Sequence, residues 1–137
     1  MNNPIQIVNT MFQGDAFSKW LGIEIVEFGE GGCVLKMTIR EEMTNGFKIA
    51  HGGITYSLAD SALAFAANSH GRKSVSVETS ISHTQQCLVG DVITAKAIEK
   101  SISNKIAIYE ITIANQKEET VALFKGTVYR TSKTWEV

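Results

Sequence analysis

The chain is poor in residues that interrupt or staple structure, and each shortage removes a class of protein. One proline is present, Pro4, so no proline-rich linker divides the chain. The two cysteines, Cys33 and Cys87, lie in strand-like contexts, far apart and without ligand spacing. That excludes a disulfide framework and leaves both as plain reduced side chains. The three histidines, His51, His70 and His83, have no ligand spacing either, so no metal site is expected. No apolar run approaches the roughly 20 residues that cross a bilayer. Met1 to Thr10 lacks the basic start and apolar stretch of a signal peptide, which makes the cytoplasm the expected compartment. A formal net charge of -1 offers no basic face for nucleic acid.

What remains fits one domain over residues 1–137. Pro4 can open a short helix whose apolar groups, Ile5, Val8, Met11 and Phe12, recur at helical spacing. Asp15 can cap a second turn, Ala16 to Leu21, that Gly22 would end. The period then changes to two. A strand from Ile23 to Phe28 meets the glycine-dense turn Gly29 to Gly32, and the next strand alternates Cys33, Leu35, Met37 and Ile39 on one face. Met43 to Gly53 reads as an irregular loop. Ile54 to Ser69 reads as a helix, apolar around its whole circumference and rich in alanine, and therefore buried. Strand signals follow at Ser74–His83, Val92–Lys100, Ile106–Ala114 and Thr120–Tyr129.

Two strands, one helix and four strands cannot form a doubly wound sheet, which needs alternating helices. The simplest packing is an α+β hot-dog fold, one antiparallel sheet curled around a central buried helix, with an edge strand free to pair with a second copy.

Asp60 is the anomaly in that helix. No Lys or Arg lies within a turn of it, and an ionised carboxylate buried without a partner costs several kcal/mol. It should be hydrogen-bonded, raised in pKa or both. One reading is a solvent-facing Asp, but the helix has no consistently polar face for it. The other is a carboxylate facing a cleft as general base or nucleophile. Gly52-Gly53 precede the helix, where free N–H groups and the helix dipole favour an oxyanion, although a plain loop-to-helix turn would look the same. The eight-residue offset from Gly52 to Asp60 spans about 12 Å at ~1.5 Å per residue. The two cannot easily serve one carbonyl within a chain, so a shared site would draw them from two protomers. Asn45-Gly46 is also a strong turn pair, His51 is also a candidate N-cap, and Ser76 alone is uninformative.

The run Asn45-Gly46, His51-Gly52-Gly53 and Ser57-Leu58-Ala59-Asp60 resembles the hot-dog thioesterases of the phenylacetate-degradation (PaaI) type. The likeness extends to Leu21-Gly22-Ile23, Gly90-Asp91 and Thr120 to Gly126, although the loop-helix motif is its specific part. The resemblance implies an acyl-CoA thioesterase in which Asp60 activates water or attacks the thioester. Gly52 of the facing subunit would polarise the carbonyl, Asn45 would hold substrate or water, His51 would support the loop and Ser76 would place the water. It also implies a homodimer as the minimal active unit, paired into a homotetramer, with coenzyme A part of the substrate and no separate cofactor. Arg72, Lys73 and Arg130 are candidate contacts for the nucleotide end. Gly53 is a candidate substrate contact, and Tyr56, Leu63 and Phe65 are candidates for the acyl pocket or equally for the core; the pocket would take aryl-acyl (phenylacetyl-type) or medium-chain groups. The absence of a glutamate at position 60, and of the Asp-to-His spacing of hot-dog hydratases, favours hydrolysis. The alternative on this fold is a non-catalytic acyl-CoA or acyl-carrier binding protein.

Overall fold

Pro4 opens helix α1 (Pro4–Gln13) where its missing N–H is no loss, behind an Asn3 side chain that accepts from the Ile5 N–H. This computed structural model describes residues 3–137. Asp15 caps α2 (Ala16–Leu21) by accepting from the Ser18 N–H, and Gly22 ends it in the left-handed region at φ 76, both as the residues suggest.

Six strands follow around one long helix: β1 (Glu24–Gly29), β2 (Gly32–Thr38), α3 (Gly52–Asn68), β3 (Arg72–His83), β4 (Val92–Ile102), β5 (Ile106–Ala114) and β6 (Thr120–Thr134). All pairings are antiparallel, in the order β1-β2-β4-β5-β6-β3. Register shifts interrupt the β1–β2, β4–β5, β5–β6 and β3–β6 ladders. Such bulges bend strands and increase twist, which curls the sheet.

The topology explains where α3 must run. It joins β2, near one edge, to β3 at the other, so it crosses the concave face and packs against β2 through β6. α1 and α2 pack against α3 as well. Leu58, Ala59, Ala62, Leu63 and Ala66 are fully buried as a result. Each leucine contributes about 1.5–3 kcal/mol by leaving water. Contact is close: a Cβ on Gly126 in β6 would sit 2.5 Å from Leu63 Cδ2. The far end of α3 is tied to the β1–β2 turn, where Ser69 Oγ accepts from the Gly31 N–H and His70 bridges Glu30 and Glu99. This is the hot-dog architecture.

Two details depart from the sequence reading. α3 begins at Gly52 rather than Ile54, so the glycine pair forms its first turn. The segment before it is ordered by its own bonds: a 3-10 turn at Glu41–Met43 and a bridge between Thr44 and Ala50. The edge strand β3 pairs with β6 alone, leaving Val75 and Val77 57% and 60% exposed.

Candidate active site

The loop before α3 is held by Asn45. Its N–H donates to Ile49 O at 2.9 Å, its carbonyl accepts from the Lys48 N–H at 3.0 Å, and its Oδ1 accepts from the Phe47 N–H at 2.9 Å. Asn45 therefore serves the turn with its side-chain oxygen, while its amide NH2 bonds to none of the described residues. The left-handed residue of the loop is Lys48 at φ 65, not Gly46. Two backbone bonds seat the loop, Ala50 N–H to Cys87 O and His51 N–H to Met43 O, both 2.8 Å.

His51 caps α3. Its backbone is extended at ψ 139, its Nδ1 accepts from the Gly53 N–H at 2.9 Å, and its carbonyl accepts from the Ile54 N–H at 2.9 Å. The cap divides the labour of the glycine pair. Gly53 has its N–H engaged and is removed as a donor to substrate. The Gly52 N–H bonds to none of the described residues and sits at the positive end of a 17-residue helix, where it can stabilise a developing oxyanion.

Gly52 and Asn45 share a cleft of about 360 Å³ with Thr55, His83, Gln85 and Cys87. His83 did not stand out in the sequence, because its nearest partner, Thr55, lies far away along the chain. Cys87 is no nucleophile: burial, reinforced by Asp91, pushes its thiol up to about 11, and burial pushes Cys33 up to about 12. Among the described residues no group of three His, Cys, Asp or Glu could hold a metal ion, and no helix is long and apolar enough to cross a membrane.

Asp60 lies in another cleft, about 280 Å³, lined by Leu63, Ala64, Ser74, Val75, Ser76 and Val128. Burial raises its carboxyl above the usual carboxylate range, and the charge of Asp15 adds to that. Asp15 is fixed there because its carboxylate accepts from the Ser18 N–H and hydroxyl, and Ser18 meets Ser61 of α3 at 2.8 Å. None of the described residues donates a hydrogen bond to Asp60. Asp60 is half-buried rather than buried, and of the two outcomes expected the raised pKa is present and the hydrogen bond is not. An unpartnered carboxylate of raised basicity, beside apolar walls and the Ser76 position, is equipped to accept a proton.

The structure thus brings Asp60, Leu63 and Ser76 together, and separately Asn45 and Gly52 with His51 behind them, but it does not join the two groups within one chain. Tyr56 lines neither cleft: its hydroxyl bonds Thr79 Oγ1 and its ring meets Phe124 edge-on at 5.4 Å. The expected nucleotide contacts are also occupied. Arg72 donates to the Asn104 side chain and carbonyl and to Arg130 O, and Arg130 donates to Ser103 O at 2.6 Å. The two arginines clamp the β4–β5 turn. Lys73 lies over the Trp135 ring, 5.0 Å from its centroid.

The fold has known counterparts. The chain belongs to the Thioesterase superfamily, whose family model matches residues 47–122. It is 39% identical over 125 residues to the acyl-coenzyme A thioesterase PaaI of Escherichia coli K12, covering 91% of this chain and 89% of that protein. It is 28% identical to human acyl-coenzyme A thioesterase 13, covering 81% of each. The solved structure of E. coli PaaI, from the phenylacetic acid degradation operon, matches with a TM-score of 0.94 at 38% identity, over 96% of this chain and 95% of that one.

Proposed function

We propose that the chain is an acyl-CoA thioesterase, releasing a free acid and coenzyme A, and that its site is composite, Asp60 and Ser76 from one protomer facing Asn45, His51 and Gly52 of another. Asp60 carries this reading: a half-buried carboxylate of raised basicity with no donor among the described residues, on the face of α3 that also presents Tyr56, Ser57, Ser61 and Ala64. Membership of the Thioesterase superfamily and the similarity to E. coli PaaI support the reaction class. Asp60 takes a proton from water as the water oxygen bonds to the thioester carbon. The carbonyl oxygen becomes an oxyanion facing the Gly52 N–H. Collapse breaks the carbon–sulfur bond, and the proton on Asp60 passes to the departing thiolate. No cofactor enters, because coenzyme A is part of the substrate.

The dimer follows from separation and exposure. Gly52 and Asp60 are about 12 Å apart along α3 at ~1.5 Å per residue. The unpaired edge of β3, with Val75 and Val77 exposed, is suited to pairing with a second copy. We extend this to a tetramer of two such dimers in the cytoplasm, where Cys33 and Cys87 stay reduced. The apolar walls beside Asp60, Leu63, Ala64, Val75 and Val128, suit aryl-acetyl or medium-chain acyl groups.

Thiol release from aryl, short, medium and long acyl-CoAs at equal concentration tests the proposal, alongside Asp60→Asn. The variant should lose at least about 10²-fold in rate. Full activity in the variant would displace Asp60, and tight acyl-CoA binding without thiol release by the wild type would make the chain a binding protein instead.

A further inference from the structure

The Gly52 cleft holds a polar group that the mechanism above leaves unused. His83 closes β3, its side chain exposed to the cleft, with Nε2 3.3 Å from the point where a Cβ on Gly52 would sit. Its Nδ1 lies 3.2 Å from the hydroxyl of Thr55, a residue only 4% exposed. That hydroxyl is also 3.1 Å from the Gly52 carbonyl oxygen, which has no proton to offer. The threonine hydroxyl donates to that carbonyl, which leaves its lone pairs to accept the Nδ1–H of His83 in the tautomer that the proposal below requires. A neutral imidazole has one N–H, so Nε2 presents a lone pair to the cleft.

A free donor, the Gly52 N–H, and a fixed acceptor, His83 Nε2, thus stand on one rim. The other polar side chains of this cleft are the neutral amides of Asn45, Gln85 and Gln86, the Thr84 hydroxyl, which donates to Thr120 O, and Cys87, which is held as a thiol. The His51 ring is already committed to the Gly53 N–H. The pair calls for a ligand with a carbonyl and an N–H a short distance apart. An acyl-CoA supplies both, because only the sulfur and two methylenes separate the thioester carbonyl from the first amide N–H of the pantetheine arm.

We propose that His83 Nε2 accepts a hydrogen bond from that amide N–H while the Gly52 N–H meets the thioester carbonyl. The inference rests on the thioesterase reading and extends it to the thiol side of the scissile bond. His83 is a binding residue in this arrangement. Thr55 sets its tautomer and so spares the site a rearrangement when substrate enters.

The test compares three thioesters of one acyl group: the coenzyme A ester, the N-acetylcysteamine ester, which keeps the amide, and the propanethiol ester, which lacks it. His83→Phe keeps a ring but no acceptor, and should raise KM about tenfold for the first two while leaving the third unchanged. His83→Gln, with an amide oxygen near the place of Nε2, should recover most of the loss. Melting temperatures identify any variant that fails to fold, and His83→Ala, which also lacks the acceptor at an exposed position, then carries the comparison. An equal loss on all three esters, or no loss on any, would overturn the proposal. A wild type that releases no thiol at all refutes the hydrolase reading instead. In that case Kd for coenzyme A in the same proteins decides the His83 contact, tenfold weaker binding by His83→Phe supporting it and equal binding overturning it.

Discussion

Replacing Gly52 with proline would remove the N–H of that residue while leaving the helix start intact. Gly52 is the first residue of α3, where proline is well tolerated because no intrahelical bond is lost. The residue before a proline must be extended, and His51 already is, at ψ 139. The steric cost is a Cβ 3.3 Å from His83 Nε2, and Gly52→Ala carries the same Cβ while keeping the N–H. The two variants therefore differ by one hydrogen-bond donor and by the ring carbons Cγ and Cδ that replace it. Those carbons block the same position, so the loss of the donor sets the least effect expected. A donor aimed at an oxyanion is worth about 2.7–4 kcal/mol, or roughly 10²–10³ in kcat. Thiol release under saturating substrate should show Gly52→Pro slower than Gly52→Ala by at least that factor, with similar melting temperatures. Equal kcat values in the two would refute the assignment, and the oxyanion would have to be held elsewhere.

Other outcomes follow from the same geometry. Mixing Gly52→Pro and Asp60→Asn chains, unfolded and refolded together, should restore about a quarter of wild-type activity, since half the dimers are mixed and each has one intact site of two; a mixture as inactive as its parents would mean that both residues act within one chain. Asp60→Asn should also change stability with pH. Because the folded carboxyl is raised, the wild type is destabilised as pH rises through the unfolded and then the folded value. The variant's advantage in melting temperature should thus be absent in acid and grow toward neutrality, and a pH-independent difference would contradict the raised carboxyl. Gly126→Ala should cost about 1–3 kcal/mol in denaturant unfolding, since its Cβ would fall 2.5 Å from Leu63 Cδ2 in a filled core; a loss under about 0.5 kcal/mol would mean that Leu63 has room to yield.

Features settled by neighbouring residues were legible in the chain before any coordinates. Pro4, Asp15 and Gly22 act within one turn of themselves, so the boundaries of α1 and α2 could be read directly. The alanine-rich sequence of α3 required burial of most of its surface, although Tyr56, Ser57, Asp60, Ser61 and Ala64 form a half-buried face, and one such helix beside six strands leaves few packings. Asp60 stood out for the same local reason, a carboxylate with no cation near it in sequence. What escaped depends on partners distant along the chain. That Arg72 and Arg130 hold the β4–β5 turn could not be read, because charge alone says nothing of the Ser103 and Asn104 carbonyls that fold back to meet them. Gly53 looked equivalent to Gly52 until the His51 ring took its N–H, a bond between residues two apart whose existence depends on a rotamer.

His83 shows the sharper limit. Period two fixes which face of a strand a residue occupies, but not what waits at the strand's end. Ser76 and His83 stand on the same strand, yet seven residues separate them, about 23 Å at ~3.3 Å per residue. Each therefore serves a different cleft, one with Asp60 and the other with Gly52. α3 imposes the same division from the other side of the core, since its rise separates Gly52 from Asp60. Helix and strand run between the same two clefts, so neither element alone can close the gap. A second copy of the chain with its own β3 edge against this one would supply to each cleft the half it lacks. The proposed composite site therefore carries its own test: a monomer that keeps its fold should keep the raised carboxyl of Asp60 and lose the reaction.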